Sequence, residues 1–130
     1  MWGFYFGQLI DSLPIFLKGL WMTVSVSGLS LVAGSLIGFY WGIIRGGKGR
    51  ILRRLIGAWV DLIRGTPFLV QIFVIFFIFP EAGIQLEAFP AAVIALTNLA
   101  ACFICEIVAG GIQAVPSGQR EAATASGLSA

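Results

Sequence analysis

Apolar positions run almost unbroken through three stretches of the chain, and two short polar stretches divide them. Residues 19–44 carry no charged side chain, more than the about 20 apolar residues that a membrane span needs. They predict a first transmembrane helix with some tilt. Residues 55–80 predict a second. Its charge-free part, residues 65–80, extends about 24 Å as a helix, short of a hydrocarbon core of roughly 30 Å. The span must therefore take in residues 55–64, which include Asp61 and Arg64. Three residues apart, these two share a helix face and are expected to pair. Pro67 has no N–H to give, so a break or kink is expected at Gly65-Thr66-Pro67. Residues 89–113 predict a third span, with Glu106 as its one charge and Asn98 as its other strongly polar group. Asn98, Cys102, Cys105 and Glu106 fall on one helical stripe. A carboxylate facing lipid is costly, so Glu106 should face protein, water or the membrane interface. Gly110-Gly111 is expected to loosen the helix beyond it, and Pro116 to mark its exit.

Both ends of the chain are different in kind. Residues 1–18 hold Trp2, Phe4, Tyr5, Phe6 and Phe16, the ring types that gather at membrane interfaces, and predict an interfacial segment. Residues 116–130 are polar and rich in alanine. They predict a short helix that starts at Ser117 as N-cap and stops at Gly127.

Composition settles the class. Of 130 residues, 58% are hydrophobic and only 11% charged, against about 25% charged in a soluble domain. Too few charges exist to build a water-exposed surface, so the chain reads as an all-α, polytopic membrane protein of one domain. It contains no histidine, which excludes histidine metal sites and histidine acid–base chemistry within it. Cys102 and Cys105 form a Cys-x-x-Cys, but zinc takes four ligands and no second pair exists. They read as small residues of a membrane helix, and neither a metal nor a cofactor is expected.

Charge distribution sets an orientation. Arg45, Lys48, Arg50, Arg53 and Arg54 crowd the first polar stretch, whose glycines make a turn. Residues 81–90 contain Glu81 and Glu87 and no base. Short basic loops stay on the cytoplasmic side. The basic turn is therefore inside, the acidic one outside and the N-terminus outside. Topology accounts for the basic turn without nucleic acid. The N-terminal residues 1–10 lack the positive charge of a cleavable signal.

Ser30, Gly34, Gly38 and Gly42 recur every fourth residue of the first span, making a small face that another helix backbone can approach closely. A broken second helix with charges beside it fits a polar path through a transporter; an arginine snorkelling to the membrane edge fits the same residues.

Four stretches, in order, resemble the inner-membrane permease subunit of bacterial polar amino-acid ABC importers. Gly19-Leu-Trp-Met-Thr23 with Gly34, Gly38 and Arg45 is similar to that family's first span. Arg64-Gly-Thr-Pro-Phe-Leu-Val-Gln71 is similar to its Arg-Gly-Thr-Pro motif. Glu106-Ile-Val-Ala-Gly-Gly-Ile-Gln-Ala-Val-Pro116 resembles the end of its third span. Glu121-Ala-Ala-Thr-Ala-Ser-Gly127 resembles the first half of its EAA loop. The resemblance implies a translocation path or gate that involves Arg64, Thr66, Pro67, Gln71, Asn98 and Glu106. It implies an ATPase-coupling segment with Glu121, Ala122, Ala123 and Gly127. The implied partners are cytoplasmic ABC ATPase subunits, a second permease subunit, a periplasmic substrate-binding protein and membrane lipid, in a bacterial inner membrane. The permease itself is not an enzyme. Position 109 is Ala where the family usually has Arg, and the sequence given ends at Ala130 where the family continues through two more spans. Three helices of an expected five are thus represented, with the start of a coupling helix. These 130 residues are expected not to transport alone. The competing reading is a non-transporting membrane assembly or regulatory protein derived from a shortened permease.

Overall fold

The computed structural model describes residues 1–129. Among these every regular element is a helix: α1 (Trp2–Asp11), α2 (Leu13–Gly46), α3 (Arg50–Gly65), α4 (Phe68–Phe73), a π-helical turn (Val74–Ile78), α5 (Phe79–Glu81), α6 (Ala88–Gln113) and α7 (Ser117–Ala125). Two of them, α2 and α6, are long and apolar enough to cross a membrane. A third crossing follows if the bent pair Arg50–Gly65 and Phe68–Glu81 is one span.

The first span starts earlier than its charge-free stretch suggests. Helix α2 begins at Leu13, with Pro14 in its first turn, where a missing N–H costs nothing. It runs through Lys18 and reaches about 51 Å, well beyond a hydrocarbon core. Helix α1 precedes it with no buried residue.

The second span is broken, and more sharply than a kink. Its two halves meet at 106°. Thr66 and Pro67 are extended (ψ 135° and 138°); Thr66 is so because a residue before proline is driven out of the α region. The helical part also starts five residues before position 55, at Arg50. Beyond the break, Pro80 cannot donate a bond to the previous turn, and the turn just before it is widened into a π-helix.

Helices α2 and α6 make the most extensive packing in the fold. The small face of α2 lies against α6, with Ser30, Gly34, Gly38 and Gly42 its buried residues. A Cβ at Gly38 would sit 2.6 Å from the Ala101 carbonyl oxygen. One at Gly34 would sit 2.5 Å from the Ala100 Cβ, and one at Gly42 2.5 Å from the Val108 Cβ. Only glycine permits this approach, and close approach is what holds helices together where lipid removes the hydrophobic drive. Ser30 Oγ donates to the Val93 carbonyl at 3.4 Å. Helix α3 adds Val60 and Ile63 to a cluster with Cys102 and Cys105 of α6. Both cysteines are free and buried.

Two local expectations are corrected. Helix α6 continues through Gly110 and Gly111 to Gln113, since tertiary packing upstream overrides their weak propensity. Pro116, not Ser117, occupies the N-cap of α7, and no side-chain cap bond forms. Proline's φ fits the entry to a helix, which leaves Ser117 as the first helical residue. Ala109 is 4% exposed, in the closely packed part of α6, and the charged contact lies one turn earlier at Glu106.

Candidate functional site

The expected Asp61–Arg64 pair does not form. Arg64 Nη1 reaches Glu106 Oε2 at 3.1 Å, and Arg45 Nη2 reaches Asp61 Oδ1 at 3.3 Å. Arg45 also donates to Glu106 Oε1. Two arginines and two carboxylates thus join the end of α2, helix α3 and helix α6. The reason is burial. The Asp61 side chain is 65% exposed and that of Glu106 only 30%. An exposed carboxylate keeps its water, whereas a half-buried one needs cations. Arg64 also lies over the Phe103 ring, 5.5 Å from its centroid, a further attraction for a guanidinium. Both oxygens of Glu106 are bound, one to each arginine.

Sequence reasoning missed Arg45 as a partner of Glu106. A signal was present: Arg45 stands three residues beyond Gly42 and so continues the small face that meets α6. Glu106 is the one acid on α6.

The pairing predicts a specific double-mutant result. Arg64→Gln and Glu106→Gln should couple by about 1 kcal/mol in thermal unfolding of the detergent-solubilised protein. Arg64→Gln and Asp61→Asn should be additive. Equal coupling in the two cycles would show that Arg64 shares itself between both acids.

Gln71 ties the two halves of the broken helix together. Its Nε2 donates to the Ile63 carbonyl at 3.0 Å and to the Thr66 carbonyl at 3.3 Å. The break leaves carbonyls at the end of α3 without helical partners, and a side chain from the far half satisfies them. Thr66 Oγ1 donates to the Leu62 carbonyl at 2.6 Å. Trp59 Nε1 donates to Asn98 Oδ1 at 3.0 Å, a second polar link between α3 and α6. Thr66, Gln71 and Asn98 line one cavity of about 520 Å³ beside the break, otherwise mostly apolar. Arg64 and Glu106 meet in the charge network instead. Pro67 contributes the bend.

Helix α7 stands apart. None of its residues is buried. Glu121 and Ala122 are exposed and Ala123 is half-buried. Two backbone bonds close its end: Leu128 N–H donates to the Ala123 carbonyl and Gly127 N–H to the Thr124 carbonyl, both at 3.0 Å; the Ser126 hydroxyl adds a bond to the Ala122 carbonyl at 2.9 Å. This paired pattern is a Schellman cap, whose penultimate residue must be left-handed. Gly127 supplies that, at φ +88°. Among the described residues no cluster of side chains suited to a metal ion is present.

Comparison with known proteins places this geometry in context. The family described as binding-protein-dependent transport system inner membrane component matches residues 34–130. The L-cystine transport system permease protein TcyB of Bacillus subtilis (strain 168) is 37% identical over 115 residues, 88% of this chain and 49% of that protein. The glutamine transport system permease protein GlnP of Escherichia coli (strain K12) is 33% identical over 128 residues, 97% of this chain and 58% of that protein. A crystal structure described as an amino acid ABC transporter with histidines superposes with a TM-score of 0.85 at 32% identity. That match covers 94% of this chain and 57% of the other. The chain spans about half the length of the curated relatives it matches.

Proposed function

This chain belongs to the family of binding-protein-dependent transport system inner membrane components, and from that premise we propose that it is a membrane-spanning part of an ATP-driven importer for a polar amino acid. Relatives named for cystine, glutamine and arginine transport support the substrate class. In this reading the chain contributes to the translocation path. Cytoplasmic ATPase subunits drive it, a second permease subunit completes it, and an external substrate-binding protein delivers the amino acid. The break at Gly65-Thr66-Pro67, fastened to α6 through Arg64 and Glu106, is the part of the path or gate that this chain supplies.

One observation carries the reading. Helix α7 buries none of its residues and stands at the same end of the molecule as the basic turn after α2, since Lys48, Arg53, Ser117 and Arg120 line one hollow. A free helix at the positively charged end of two membrane helices is placed to be gripped from the cytoplasm. A rigid displacement of that helix passes directly into α6.

The test is uptake of labelled cystine, glutamine, arginine and histidine by cells that express the full gene product with its ATPase and binding protein. ATP-dependent uptake of one of them is expected, together with co-purification of the ATPase. Absence of both results sinks the reading. The orientation is tested separately with a membrane-impermeant thiol reagent on Lys48→Cys and Gln85→Cys, in a background where Cys102 and Cys105 are alanine. Position 85 should label from outside and position 48 should not.

A further inference from the structure

The hollow between the two turns at the basic end has a volume of about 650 Å³ and is lined by Lys48, Arg53 and Arg120 from three separate segments, with Ser117 and Gln113 beside them. No carboxylate lies within ion-pair distance of any of the three cations among the described residues, since every ion pair there belongs to Arg45 or Arg64. Arg120 Nη2 makes one long contact, 3.5 Å to the Ile112 carbonyl, which leaves most of its donors free. Three unpaired cations around one hollow repel one another unless an anion enters.

The surroundings indicate what kind of anion. The hollow lies where α2 and α6 end, at Gly46 and Gln113. On α3, the helix that contributes Arg53 to the hollow, Ile51, Leu52 and Leu55 are 76%, 57% and 62% exposed. They flank Arg53 and Arg54 on a helix with a charged face and an apolar one, the pattern of a helix lying in the membrane interface. An occupant that matches both features has an anionic head and an apolar tail.

We propose that this hollow is a binding site for the phosphate headgroup of an anionic phospholipid, with the acyl chains along the apolar face of α3. The proposal rests on the inward orientation of the basic turn given above. It requires neither the ATPase nor transport. Lys48 supplies positive field from the turn, Arg53 from α3, and Arg120 donates from α7, so a bound lipid ties the start of α7 to the membrane surface. The site adds a lipid requirement to the proposed coupling helix.

The experiment is native mass spectrometry of the purified full gene product, titrated with phosphatidylglycerol or phosphatidylcholine. Phosphatidylglycerol should bind at least about tenfold more tightly, because each cation near the surface favours an anionic lipid. The triple variant Lys48→Gln, Arg53→Gln, Arg120→Gln should lose that preference. Arg50→Gln with Arg54→Gln, which removes charge from the first turns of α3 but not from the hollow, should keep it. If the triple variant is not monodisperse, Arg120→Gln alone should give a partial loss. Equal loss in both variant sets would mean diffuse surface charge and overturn the proposal. So would displacement of the lipid by excess inorganic phosphate that itself binds as tightly, which would mark a free-phosphate site. A failure of uptake with lipid binding intact would count against the transport reading and leave this one standing.

Discussion

Gly38→Leu is expected to separate α2 from α6 and to cost about 3 kcal/mol or more of stability in detergent. A Cβ at this position already meets the Ala101 carbonyl oxygen at 2.6 Å, the Ile104 Cβ at 2.8 Å and the Ala101 Cα at 3.0 Å. Two of those three atoms are backbone, so no rotamer change relieves the clash and the helices must move apart. Moving apart also pulls Arg45 from Glu106, because both stand on the same helix pair. Gly28 is the control. It lies in the same helix with nothing within 4 Å of its missing Cβ. Gly28→Leu should leave the melting temperature unchanged or raise it slightly, since leucine is the better helix former. Thermal unfolding of the two purified variants decides the matter. If they melt alike, close approach of α2 and α6 is not what holds the fold.

The physical reason that this face was legible in the sequence, while the charge network was not, is the range of the signal. Ser30, Gly34, Gly38 and Gly42 repeat at helical spacing within one element, so a single helix wheel displays them. The pair Arg64–Glu106 joins positions 42 apart, and Arg45–Glu106 positions 61 apart. Local spacing offered Asp61 as the partner of Arg64, and local spacing has no term for burial. Once α3 packs on α6, Glu106 is the acid that needs a cation and Asp61 is the one that does not. The break at Pro67 was equally legible, because a missing N–H is a property of one residue. Its angle of 106° was not. The angle depends on Gln71 reaching back to Ile63 and Thr66, and on the packing of Ile75 against Ala91 and Ala95. The early start of α2 at Leu13 was hidden by Lys18. A charge ends an apolar stretch but does not end a helix.

The network bears on how movement would pass through the fold. Glu106 is held from two sides, by Arg45 of α2 and Arg64 of α3. Helix α6 therefore cannot rotate about its axis without breaking one of these contacts. In the proposed importer, a displacement applied below it, at α7, would be passed to α2 and α3 together through these contacts. This makes the join between α6 and α7, and the integrity of α7 itself, the point where a small change should have the largest effect on transport.

Gly127→Val is expected to reduce uptake by the assembled importer about tenfold or more while the protein stays in the membrane. Nothing lies within 4 Å of the missing Cβ at Gly127, so crowding is not the cause. The cause is its φ of +88°, a left-handed conformation that costs an ordinary residue about 1–2 kcal/mol and a β-branched one more. Helix α7 has only nine residues and buries none, so its own stability is marginal. Losing the bonds that Gly127 and Leu128 donate to Thr124 and Ala123 then shifts the fraction of folded helix by about a factor of ten for each 1.4 kcal/mol. Gly127→Asn separates conformation from size. Asparagine is larger than glycine but tolerates the left-handed region, so uptake should stay close to that of the unmodified protein. Ala123→Asp attacks the same element differently, by placing a charge on its half-buried side, and should release the ATPase on co-purification. Membrane abundance measured by immunoblot must be equal across the variants. If Gly127→Val and Ala123→Asp both transport normally with the ATPase still bound, α7 is not the coupling element, and the drive must enter this fold elsewhere.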